Sequence, residues 1–147
     1  MELVRIYEMP DCKMVSSGIG MFGEEKFSSF HKWFNSLPQK TMFPQNFLFE
    51  DRGKLHWVQM YEDGINVPDE FEIIDFKGGL YAVSTDIDQK TDVEAMNKIK
   101  KDYFELHGFE IDTSRPELGS IINSSLTIEI LGYSQMDYYT PIKHIKE

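Results

Sequence analysis

Cysteine is nearly absent from this sequence: Cys12 stands alone. A single thiol rules out an internal disulfide and offers no metal-ligand spacing, which fits a reducing compartment and an inert, buried thiol. His31, His56, His107 and His144 are too scattered for a local metal motif, so neither a metal nor a cofactor is expected. Long apolar runs are missing too. No stretch approaches the roughly 18 apolar residues of a membrane span, and the start, MELVRIYEMPD, lacks the basic and apolar regions of a signal peptide. A cytoplasmic protein with no membrane partner is expected. Basic residues are outnumbered, 15 against 25 acidic, for a net charge of −10. Such a surface is poorly suited to phosphate backbones, so direct binding of nucleic acid by this chain is not expected. The acidic balance permits a cationic ligand, although most of these carboxylates read as a solvated face. No GxSxG elbow, P-loop or HExxH occurs, and Ser124-Ser125 has no neighbour that marks it as a nucleophile. Catalysis has no support from motifs.

What remains is a chain of 147 residues, 41% hydrophobic and 14% aromatic, enough for one well-buried core and short for two independent domains. Leu3 to Met9 and Cys12 to Ser17 read as strands broken at Pro10-Asp11. Phe27, Phe30, Phe34 and Leu37 then recur at helical spacing up to Pro38. Asn46 to Glu50 and Leu55 to Glu62 predict a hairpin turning at Asp51-Arg52-Gly53, with Leu55, Trp57, Gln59 and Tyr61 on one face. Phe71 to Phe76 and Leu80 to Asp86 are strands around Lys77-Gly78-Gly79. A second helix follows, opened by a capping box of Thr91 and Glu94 and closed by Gly108. Its apolar stripe is Val93, Met96, Ile99, Tyr103 and Leu106, with Lys98, Lys100 and Lys101 pointing elsewhere. Arg115-Pro116 begins an irregular stretch, and Leu126 to Lys143 reads as a strand pair in which Pro141 marks an edge or an end.

Strands, helix, strands, occurring twice, is a pseudo-repeat with halves of about 1–64 and 65–147. The expected fold is α+β in one domain, 1–147: a mostly antiparallel sheet with two main helices on one side and a cleft between the halves. Gly18, Gly20 and Gly23 match GxGxxG between a strand and a helix. A dinucleotide fold needs parallel βαβ units, and the hairpin signals oppose it, so these glycines read as a flexible lead-in to the helix.

Glu129 needs the most explanation. In a strand reading of LTIEIL, Ile128 and Ile130 share one face and Thr127, Glu129 and Leu131 the other. A carboxylate facing an apolar cleft is costly unless paired, and the partner proposed for it is a ligand. Trp57 and Tyr81 each sit in a central strand with a period that can turn them toward Glu129, although an aromatic on a strand is more often core packing.

The N-terminal VRIYEMP, the SGIGMFGEEKFSSFHKWF lead-in to the first helix, GGLYAV at Gly78 to Val83 and the acidic strand followed by Pro141-Ile142-Lys143 together resemble the GyrI-like effector-binding domains. These occur alone and as the ligand-sensing part of bacterial AraC-type and MerR-type transcription regulators. The resemblance covers most of the chain. It implies two strand-helix-strand-strand modules with a cleft between them, lined in multidrug-responsive members by aromatics around a buried glutamate that neutralises lipophilic cations. Glu129 is the position matching that glutamate. The segment Arg115 to Ser125 departs from the family pattern, and the DNA-binding domain of the regulators is not found within the chain, which leaves two readings open: a stand-alone sensor or sequestering protein, or a fragment with a DNA-binding domain or partner protein elsewhere. The reading that follows is a small-molecule binding module for amphipathic cationic aromatics, with Glu129, Trp57, Tyr81, Tyr133, Tyr61 and Tyr103 as its ligand-binding residues. The alternatives are a hydrolase of cyclopropane-bearing genotoxins using Glu129 as general base, and a protein that protects DNA gyrase.

Overall fold

In the computed structural model, which describes residues 1–38 and 45–146, turn residues set most of the element boundaries. β1 (Arg5–Met9) and β2 (Cys12–Gly20) flank Pro10-Asp11, and α1 (Glu25–Ser36) follows. Gly18 has a φ of 79° within the register shift of β2 between Ser16 and Ile19, and a Cβ on Gly20 would lie 3.0 Å from the Phe27 ring. The GxGxxG glycines thus serve a bulge and the close approach of α1. β3 (Asn46–Asp51) and β4 (Lys54–Met60) make a hairpin whose two turn residues, Arg52 and Gly53, both have positive φ, as a type I′ turn requires. β5 (Glu72–Phe76), β6 (Gly79–Ile87), α2 (Val93–His107), β7 (Phe109–Ile111), β8 (Glu117–Ile121), α3 (Ser125–Leu131) and β9 (Gln135–His144) complete the order.

All strand pairings are antiparallel, in the order β1-β6-β9-β8-β3-β4-β2-β5, with β7 on the end of β9. Read outward from the β3–β8 seam, the series β3-β4-β2-β5 and β8-β9-β6-β1 mirror each other, which is the expected repeat. The halves have exchanged a strand: β1 pairs with β6, and β5 pairs with β2.

Register fixes the faces. Trp57 is opposite Leu48, Leu48 opposite Gly119, Gly119 opposite Tyr138 and Tyr138 opposite Ser84, so these side chains share one face across the sheet. Both main helices lie on that face. Phe30 of α1 packs with Val15, Trp57 and Tyr61, and Phe104 of α2 packs with Ala82, Leu80 and Ile142. The other face carries Met14, Phe47, Phe49, Val58, Phe76, Tyr81, Val83 and Leu118 as a third buried cluster. Phe76 of β5 stacks on Tyr81 of β6 at 6.4 Å although their strands lie near opposite ends of the order, so the open sheet curls around this cluster. Each such fully buried large side chain contributes about 1.5–3 kcal/mol.

Five sequence expectations are corrected. Leu126 to Leu131 is α3, not a strand: the Ser124 side chain accepts from Thr127 N at 3.2 Å and Gly132 closes the helix in the left-handed region, so caps at both ends override a strand-like alternation. β8 occupies part of the stretch read as irregular. Asp92, not Thr91, caps α2 by accepting from Ala95 N at 3.0 Å. The α2 face that packs is one position on from the expected stripe: Lys100 and Phe104 are buried, whereas Val93, Ile99 and Leu106 are exposed. Pro141 lies in a central strand. Its carbonyl accepts from Asp112 N at 2.9 Å, so its nitrogen faces the point where β9 exchanges β8 for β7, and no ladder bond is lost there.

Candidate functional site

α1 packs on β2 and β4, and α2 on β7. Between them the helix side of β3 and β8 forms a groove along the seam of the two halves. Its floor carries Asn46, Leu48 and Glu50 from β3 and Glu117, Gly119 and Ile121 from β8, with Trp57 and Gln59 toward α1 and Tyr138 toward α2. Three strand steps of about 4.8 Å separate Trp57 from Tyr138 by about 14 Å, room for a compact aromatic molecule. Gly119 makes room for Met136, whose methyl a Cβ there would meet at 2.1 Å, so the Met136 side chain covers the floor at that point.

Glu50 and Glu117 are exposed cross-strand partners on this floor. Directly opposed residues have Cα atoms about 4.5–5.5 Å apart, so the two carboxylates repel. The Glu117 carboxyl is raised above its ordinary value by partial burial first and by Glu50 second, against an opposing pull from Lys100. Lys100 reaches down from α2, 3% exposed, and donates from Nζ to the Tyr138 carbonyl at 3.0 Å and to Thr140 Oγ1 at 2.9 Å. Burial lowers its ammonium to about 8, with Glu117 and Asp137 acting the other way. The Tyr138 hydroxyl is held by Thr91 Oγ1 at 2.9 Å.

At the other wall Trp57 is packed by Phe34 at 5.1 Å, His31 at 5.4 Å, Phe22 at 5.5 Å and Phe27 at 5.8 Å, under a hollow of about 220 Å³. One end of the groove widens into a cavity of about 670 Å³, bounded by Phe34 and Asn35 of α1, the floor residues Asn46 and Gln59, and Ile121 to Ser125. Among the described residues no cluster of His, Cys, Asp and Glu could hold a metal ion.

The six residues expected from sequence are dispersed. Glu129 is exposed on α3. Trp57 and Tyr61 share the cluster beneath α1, and Trp57 alone of the six reaches the groove floor. Tyr81 is fully buried on the opposite face, with burial pushing its hydroxyl up to about 12. Tyr103 packs between α2 and the sheet, and Tyr133 is exposed between α3 and β9. Sequence reading missed Glu50, Glu117, Lys100 and Tyr138. The signal for Glu117 was its place in Glu117-Leu118-Gly119-Ser120-Ile121, a short strand hidden by the preceding Arg115-Pro116. The most buried carboxylate among the described residues, Asp137, lies on the other face, where Arg5 Nη2 pairs with it at 2.9 Å.

No protein-family model matches the chain, and no curated protein matches it. Solved structures do share its architecture. The chain is similar to the EcmrR C-terminal domain, with TM-score 0.64 and 11% identity over 96% of this chain and 97% of that one. A hydrolase from Listeria innocua matches at 0.66 and 10%, over 97% and 92%. SAV2435 bound to tetraphenylphosphonium matches at 0.53 and 12%, over 95% and 93%. The shared property is the fold. No helix among the described residues is long and apolar enough to cross a membrane.

Proposed function

We propose that the chain is a GyrI-like effector-binding module that takes an amphipathic aromatic cation into the groove between α1 and α2, in a sensing or sequestering role linked to transcription regulation. The observation that carries this reading is the cross-strand pair Glu50 and Glu117 on a floor flanked by Trp57 and Tyr138. A lipophilic cation relieves the repulsion of the two carboxylates and gains about 0.5–2 kcal/mol from each aromatic face it meets. Aromatic walls tolerate many shapes, so broad specificity follows. Fold-mate SAV2435, bound to tetraphenylphosphonium, supports a ligand of this chemistry.

Calorimetric titration with tetraphenylphosphonium and with neutral triphenylphosphine oxide tests the reading. Glu117→Gln and Glu50→Gln each weaken the cation about tenfold, on the order of 1.4 kcal/mol, and leave the neutral compound nearly unchanged. Glu129→Gln, on exposed α3, changes neither. Equal losses for cation and neutral compound in the Glu117 variant, or a loss confined to the Glu129 variant, would overturn the assignment.

A further inference from the structure

Resting on that groove, we infer that Lys100 sets the charge of the ligand, matching the site to a monovalent cation and disfavouring a divalent one. Charges around the floor count as follows. Glu50 and Glu117 face each other, and Lys100, on the α2 wall, interacts electrostatically with Glu117. The remaining charge acting on Lys100 is Asp137, already paired with Arg5 at 2.9 Å on the far face. At this end of the groove two carboxylates against one ammonium leave a single negative charge for the ligand to neutralise; Glu62 and Asp63 line the cavity at the other end.

The ammonium is fixed in place. Its bonds to the Tyr138 carbonyl and Thr140 Oγ1 anchor it to β9, the strand hydrogen-bonded to β8. At 3% exposure it is screened by water less than a surface lysine is, so a second positive charge on a ligand is repelled more strongly by it. A flexible surface lysine could swing aside. This one cannot do so without abandoning both bonds and leaving the Tyr138 carbonyl without that partner.

Two planar probes of nearly equal size test the inference: N-methyl-4-phenylpyridinium, with one charge, and N,N′-dimethyl-4,4′-bipyridinium, with two. Wild-type protein at about pH 7 prefers the monocation, and Lys100→Met shifts the ratio of the two dissociation constants toward the dication about tenfold. The substitution keeps the side-chain volume but removes both hydrogen bonds, so circular dichroism checks the variant's fold. Should it not fold, wild-type protein at about pH 9.5, where Lys100 is largely neutral, shows the same shift. An unchanged ratio in the folded variant, or in wild type at the higher pH, overturns the role of Lys100. If tetraphenylphosphonium and both pyridinium probes fail to bind, the groove assignment falls, and the inference with it.

Discussion

At the scale of single residues, two glycines separate contact from conformation. A Cβ on Gly78 would lie 2.0 Å from the Met9 carbonyl oxygen and 2.5 Å from the Pro10 carbonyl carbon, both backbone atoms that cannot yield, and Gly78 N donates to Asp11 Oδ1 at 2.7 Å. Gly53 has open space around it but a φ of 79°. Gly78→Ala therefore costs about 2–4 kcal/mol and Gly53→Ala about 1 kcal/mol, read as shifts in urea midpoint. Comparable losses for the two variants would show that the crowding at Gly78 is relieved by backbone movement. Arg115 is knotted nearby: Nε meets Asp112 Oδ2 at 2.9 Å, Nη2 donates to the Leu80 and Ile142 carbonyls at 2.9 and 2.7 Å, and the guanidinium lies 4.8 Å over the Tyr81 ring. Neither this knot nor the burial of Lys100 could be read from sequence. Both depend on carbonyls of strands distant along the chain, whereas periodicity reports only which face of an element a residue occupies.

At the scale of elements, what was legible was what is locally encoded. The Phe27 and Phe30 spacing of α1, the Arg52-Gly53 turn and the Gly108 stop each act within a few residues, and the structure places them as read. LTIEIL failed because its alternation suits a strand while Ser124 and Gly132, the caps just outside it, close a helix. The groove was half legible. Trp57 was assigned its correct face companions, but which sheet face receives the helices follows from the pairing of β3 with β8, a contact between residues about 70 positions apart. Capping supplies the prediction at this scale. Asp92→Ala removes the acceptor for Ala95 N and lowers stability by about 1 kcal/mol, whereas Glu94→Ala, the other half of the expected capping box, changes it by less than about 0.5 kcal/mol. Thermal melts of the pair decide it, and the reverse ranking would restore the box at Thr91.

For the whole molecule, the buried titratable groups shape stability against pH. Lys100 is lowered to about 8 from an ordinary 10.5, so between those values the unfolded chain holds a proton the native state has released, and stability rises with pH. Tyr81 and Tyr139 are both raised to about 12, chiefly by burial, from an ordinary 10, so above that value the native state retains protons the unfolded chain has lost, and stability falls. Chemical denaturation should therefore show an alkaline maximum near pH 10, and Lys100→Met should remove the rising limb while keeping the falling one. A profile that declines steadily from neutral pH would contradict this. At the acid end, Ser114 first and Arg115 second hold the Asp112 carboxyl well below its ordinary value. The stability it lends is present above that ordinary value and drains away as the pH falls through the depressed one.

The exchange of β1 and β5 makes each half the other's missing edge. A chain cut in the loop at Gly64 would give two pieces, each with an unpaired strand to donate and an open slot to fill. Neither piece should show native near-ultraviolet dichroism alone, and an equimolar mixture should regain it. Joined in one chain, the halves are bound to melt together, because neither can leave without taking a strand of its neighbour with it.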